Sequence, residues 1–110
     1  MVRRPIYASA LIMIIEVLTP RAFAQAVDID KGRELAERRC SRCHSLEDQQ
    51  GHDYQGHYVP SFKQVANTPH YSTVRLRRIM AVPPHTEMPK LPLKLDEIDN
   101  IATYIRSLRK

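Results

Sequence analysis

The sequence predicts an all-α domain: three to five short helices joined by long loops, with no sheet. Three observations lead there. Apolar residues recur at helical spacing in three stretches, residues 28–43, about 72–80, and from Leu95 or Asp96 to Leu108. Prolines and polar runs, with no alternating apolar strands, separate those stretches. The chain has only 110 residues, which bounds it to one small domain.

Taken in order, the first two dozen residues read as a secretory signal. Arg3 and Arg4 form a positive start, residues 6–18 an apolar run, and Ala22-Phe23-Ala24 a small-x-small cleavage site, with Ala26 as the alternative. The run is too short for an ordinary membrane span and carries Glu16, so no stable membrane span is expected. The paired arginines lack the rest of a twin-arginine signal. The expected division is therefore a signal peptide over 1–24 and one domain over 25–110. That domain has 86 residues, enough to fold but marginal for an apolar core of its own. Losing Arg3, Arg4, Arg21 and Glu16 lowers the net charge from +5 to +3. Such a balance suits docking on an acidic partner, though on a small domain it more often serves solubility. No nucleic-acid motif or repeat is present.

Asp28 or Asp30 can cap the first helix. Over residues 28–43, Ile29, Gly32, Ala36, Cys40 and Cys43 share a face, with Lys31, Arg33, Glu34, Glu37 and Arg38 on the polar side. Gly32 costs helix stability relative to alanine, so another backbone is expected to pass close by. The stretch ends in Cys40-Ser41-Arg42-Cys43-His44. Two cysteines three apart on a helical turn point the same way, and His44 follows four residues after Cys40, so one flat ligand can meet all three. C-x-x-C-H reads as attachment of one covalent haem c. Each thiol adds to a porphyrin vinyl group and the imidazole ligates iron.

Three other uses of Cys40 and Cys43 compete. A zinc site needs a fourth ligand, which His52 or His57 could supply, but adjacent Cys43 and His44 would strain a tetrahedral ion. A thioredoxin-like pair needs a βαβ pattern, and no strand precedes the motif. A disulfide between residues three apart closes too small a loop to stabilise much. Export into an oxidising compartment puts free thiols at risk, and a single haem accounts for both. A buried porphyrin would also supply core that a short chain lacks.

Residues 45–58 are polar, with no hydrophobic period, and read as a surface loop in which His52 and His57 are solvated. In Val59-Pro60-Ser61-Phe62, Ser61 can cap a short helix that buries Phe62, Val65 and Ala66. The third helix ends at Pro83 and Pro84, with Val74, Leu76, Ile79 and Met80 as core and Arg75, Arg77 and Arg78 as a solvated face from which one could reach a haem propionate. His85-Thr86-Glu87-Met88-Pro89 follows. A thioether is a soft ligand suited to low-spin haem iron; Met88, Met80 and His85 are the candidates. The last helix repeats Ile98, Ile101, Ala102, Ile105 and Leu108 on one face and ends in Arg106, Arg109 and Lys110, which favour a helix C-terminus.

Gly32, CSRCH, VPSF at 59–62, HTEMP at 85–89 and IATYIRSL at 101–108, in this order, resemble the class I c-type cytochromes over residues 28–108. The resemblance implies the small cytochrome c fold, helices wrapped round one covalently attached haem. It implies that Cys40 and Cys43 tether the haem, that His44 and Met88 are the axial ligands of iron, and that the Pro60 carbonyl accepts the other ring N–H of His44. It also implies that the last helix crosses the first at Gly32, with Ile101 and Tyr104 beside it. Three positions depart from the family pattern: Ala36 and Met80 stand where relatives carry aromatic residues, and Lys94 stands where they cap the last helix with Ser or Thr, so Asp96 is expected to shift that start. The function implied is one-electron transport in a periplasmic respiratory or oxidative chain, not an enzyme. The carrier would be a monomer exchanging electrons with a dehydrogenase or oxidase, through a haem edge flanked by Lys90 and Lys94. An open sixth position would point instead to ligand binding or peroxidase-like chemistry, and a zinc or thiol module would be colourless.

Overall fold

Asp28 sets where the first helix begins. From an extended N-cap its carboxylate accepts the Lys31 N–H at 3.0 Å, and α1 runs Ile29–Arg39. In the computed structural model, residues 26–82 and 88–110 are described, together with Val2. After α1 come β1 (His52–Tyr54), β2 (His57–Val59), α2 (Phe62–Ala66), α3 (Thr73–Ala81) and α4 (Leu95–Ser107). The arrangement is mostly helical, as the small cytochrome c fold requires. Among the described residues no helix is long and apolar enough to cross a membrane.

The core forms where α4 meets α1, α2 and α3. Ala36, Ile101 and Ala102 have no exposure, and Leu35, Phe62, Val65, Ala66, Leu76, Met80, Ile98, Tyr104 and Ile105 complete one cluster. Gly32 explains how close α1 and α4 come: a Cβ there would lie 2.0 Å from the Asn100 carbonyl oxygen and 3.0 Å from Tyr104 Cβ. Only glycine fits. The crossing is tied at its edge by the Asp28 N–H, which donates to Asn100 Oδ1 at 2.9 Å.

Four expectations are corrected. The first helix stops at Arg39, short of Cys43. The Ser41 hydroxyl donates to the Glu37 carbonyl, which a continuing helix would use for the Ser41 N–H; that N–H turns instead to Ala36 O at 3.1 Å. A local side-chain bond has displaced the helical one. Second, a small sheet is present. Residues 52–59 form an antiparallel hairpin pairing His52 with Val59, Asp53 with Tyr58 and Tyr54 with His57. Its turn residues Gln55 and Gly56 both have positive φ, 52° and 82°, the pattern of the tight primed hairpin turns, and Asp53 Oδ1 accepts the Gly56 N–H at 2.9 Å.

Third, Val74 is 63% exposed, outside the core. It precedes Leu76 by two positions, about 200° round the helix, so a helix that turns Leu76 and Met80 inward turns Val74 out. Ile29 likewise stands 45% exposed at the start of α1. Fourth, α4 starts at Leu95 without waiting for Asp96. Lys94 offers no side-chain cap, but the Glu97 carboxylate reaches back to accept the Lys94 N–H at 2.8 Å, half of a capping box.

Candidate functional site

Beyond α1 the chain makes one tight turn. The Cys40 carbonyl accepts from the N–H groups of both Cys43 (3.1 Å) and His44 (2.9 Å), gathering two thiols and an imidazole on a five-residue bend. The cysteines are half-buried and unlinked, and Cys40 packs against the core. Burial, reinforced by the neighbouring Cys43, pushes the Cys40 thiol up to about 11.

His44 leads into a second structure. Its Nδ1 lies 2.8 Å from the Pro60 carbonyl oxygen, and its ring packs against Phe62 with centroids 5.1 Å apart and planes tilted by 35°. A carbonyl can only accept, so Nδ1 carries the proton and Nε2 is the nitrogen with the lone pair a metal needs. The strands of chain on either side are laced together. Ser45 O accepts the Phe62 N–H at 2.9 Å, Leu46 O accepts the Lys63 N–H at 3.0 Å, and the Ser61 hydroxyl donates to Asp48 O at 2.7 Å. Ser61 is wholly buried, and its oxygen also accepts the Gln64 N–H at 3.0 Å, capping α2. Ser61 thus does cap the helix, and the Pro60 carbonyl does face His44; the two readings of this stretch are compatible.

The hairpin backs this lacing. Gly51 lies so close to the chain at Val59 and Pro60 that a Cβ would stand 2.0 Å from Val59 O and 2.6 Å from Pro60 Cα. Its N–H is directed to Gln64 Oε1 at 3.0 Å, which also accepts the Tyr58 hydroxyl at 2.8 Å. Sequence reasoning missed Gly51, Asp48 and Gln64. The only advance signal was the pair of glycines, Gly51 and Gly56, in a stretch otherwise read as loop.

The other candidates are placed as follows. Met88 is half-buried, followed by exposed Pro89 and Lys90, with Lys94 also exposed. His85, with Thr86 and Glu87, lies outside the described residues, as does the expected signal peptide apart from Val2. Met80 belongs to the core at 6% exposure. His52 and His57 are exposed on the hairpin, and among the described residues no three His, Cys, Asp or Glu side chains gather to hold a metal ion. Of the α3 arginines, Arg77 pairs with Asp99 on α4 and Arg75 lies 5.8 Å over the Tyr71 ring.

These residues fit a covalent porphyrin. The donor set is two unlinked thiols and an imidazole with its Nδ1 proton already committed. Beside them Ser45 Oγ is buried with no hydrogen-bond partner among the described residues, the kind of orphaned group that points to an additional occupant nearby.

Two comparisons bear on this arrangement. The family model described as Cytochrome c matches residues 29–109. Cytochrome c-552 of Bradyrhizobium diazoefficiens is 34% identical over 104 residues, covering 94% of this chain and 97% of that protein. No solved structure matches the chain.

Proposed function

The chain belongs to the cytochrome c family, and from that premise we propose a periplasmic carrier that takes single electrons from one redox protein and delivers them to another in a respiratory or oxidative chain. Family membership makes it an electron carrier, not an enzyme, with haem c covalently bound. When bound, the haem would supply one-electron redox chemistry.

The chain's own residues have separate tasks in this reading. Cys40 and Cys43 supply the sulfurs of the two thioether links. His44 would hold iron through Nε2, while the Pro60 carbonyl accepts the Nδ1 proton, which fixes the tautomer and makes the imidazole a stronger donor. Met88 would supply a thioether sulfur to the iron, and such a donor would raise the potential relative to an all-nitrogen ligand set. Lys90 and Lys94, exposed in the segment that follows Met88, are suited to steer an acidic partner. Residues 1–24 direct export and are removed after Ala24 or Ala26. The observation that carries the proposal is the 2.8 Å approach of His44 Nδ1 to Pro60 O, directly beside two unpaired thiols.

Visible and near-infrared spectra of the exported protein test it. Colour that survives acid–acetone extraction is expected, together with the methionine-to-ferric-iron band in the near infrared. Extractable colour would defeat covalent attachment. Absence of the near-infrared band would remove Met88 from the iron. A mature chain whose mass still includes residues 1–24 would overturn the export reading.

A further inference from the structure

We propose that Ser61 is a positioning residue for electron transfer: its buried hydroxyl holds the Pro60 carbonyl on His44 and so sets the reduction potential. This rests on the haem reading given above. Ser61 is the buried polar side chain of the described core, with no exposure at all. Its oxygen accepts the Gln64 N–H at 3.0 Å, so its single proton is directed to Asp48 O at 2.7 Å. The hydroxyl therefore joins the start of α2 to the chain four residues past His44. Pro60 directly precedes Ser61 on one segment, and His44 heads the other, four residues before Asp48.

Pro60 has no N–H through which to be anchored. What locates its carbonyl is what surrounds it. On one side Ser61 and Phe62 bond to Asp48 and Ser45. On the other, Gly51 approaches so closely that no Cβ fits, and Gln64 holds Gly51 there. Pro60 is thus flanked on both sides, and of the two side chains involved, Ser61 and Gln64, Ser61 is the one next to Pro60 in the chain.

The consequence is electronic. A carbonyl pulling on the Nδ1 proton gives the ring more imidazolate character, and an electron-rich ligand favours ferric iron. Without the Ser61 hydroxyl, Asp48 O and Gln64 N–H lose their shared partner and the Pro60 carbonyl is free to drift. His44 becomes a weaker donor, so the potential rises.

The test is redox titration of holo Ser61→Ala, with Ile98→Val on α4 as a control that softens the core outside the lacing. At a fixed ambient potential Ser61→Ala should raise the reduced-to-oxidised ratio by about three- to tenfold, whereas Ile98→Val should leave it unchanged. Equal shifts in both variants, or none in Ser61→Ala, would overturn the proposal. Should Ser61→Ala fail to mature, the unmutated reduced holoprotein decides: the His44 Nδ1 proton and the Gln64 amide should show matched protection from hydrogen exchange, and a ring proton exchanging freely beside a protected Gln64 amide would refute the link. An unmutated protein without covalent haem defeats the proposed function instead, so the two failures are distinguishable.

Discussion

The crossing of α1 and α4 and the lacing of residues 44–48 onto 60–63 are held by opposite means. At the crossing, a missing side chain at Gly32 lets backbone touch backbone, and Ala36, Ile101 and Ala102 fill the space with apolar contact. At the lacing, directional bonds to main-chain carbonyls dominate, and Ser61 is the polar residue wholly buried there. Apolar contact is strong but tolerant of small displacement, while a hydrogen bond weakens steeply as its geometry degrades. The first region therefore supplies stability, and the second supplies position.

That division can be broken by experiment. The largest effect is expected for Gly32→Val, whose side chain must occupy the space of the Asn100 carbonyl. We expect a loss of about 3 kcal/mol or more in denaturant unfolding, with the reduction potential of the folded fraction unchanged. A shifted potential would mean that the crossing also positions the site. Ser61→Ala is expected to cost about 1–3 kcal/mol, because the Asp48 carbonyl and the Gln64 N–H lose the partner they share, while moving the potential. A variant that lost stability alone would merge the two regions into one.

A smaller effect is expected where the regions meet. Tyr104, beside Gly32 at the crossing, donates its hydroxyl to Glu47 Oε1 at 3.1 Å, in the segment that carries the lacing. Burial first, and the Glu47 carboxylate second, push the Tyr104 hydroxyl up to about 12. In the unfolded chain a tyrosine ionises near pH 10. Between about pH 10 and about 12 the unfolded state has released a proton that the folded state keeps, so stability conferred below that window is lost as pH rises through it. Urea midpoints measured across this range should fall less steeply for Tyr104→Phe, and at neutral pH the variant should lose about 0.5–1.5 kcal/mol. The smallest effect belongs to Arg77→Ala. Its pair with Asp99 joins α3 to α4 at the surface, and an exposed pair contributes under about 1 kcal/mol, vanishing in high salt. A salt-insensitive loss of several times that size would show that α3 depends on the pair.

Much of the scaffold was legible in advance because its signals are local. Asp28 and Ser61 each announce a helix start through the bond that a short polar side chain makes to the turn that follows, and Ser72 caps α3 in the same way, though it was not read as a cap in advance. The apolar spacing of Ile98, Ile101, Ala102 and Ile105 marked the buried face of α4. Gly32 advertised a close neighbour by its cost alone. Elsewhere two local signals competed. The period of α1 ran on to Cys43, but Ser41 took the Glu37 carbonyl and the helix ended first. The hairpin has three-residue strands, mostly exposed, with no alternation to betray them.

By itself, then, the order of residues determined which stretches become helices, where two thiols and an imidazole fall together, and what kind of cofactor such a trio takes. Each of those rests on interactions within a few positions along the chain. Only the tertiary structure decided that Val74 faces water, that Gly51 presses on Pro60, and that Ser61 reaches Asp48. Those depend on segments brought together from separate parts of the chain, and a contact between distant residues leaves no mark in the spacing of either.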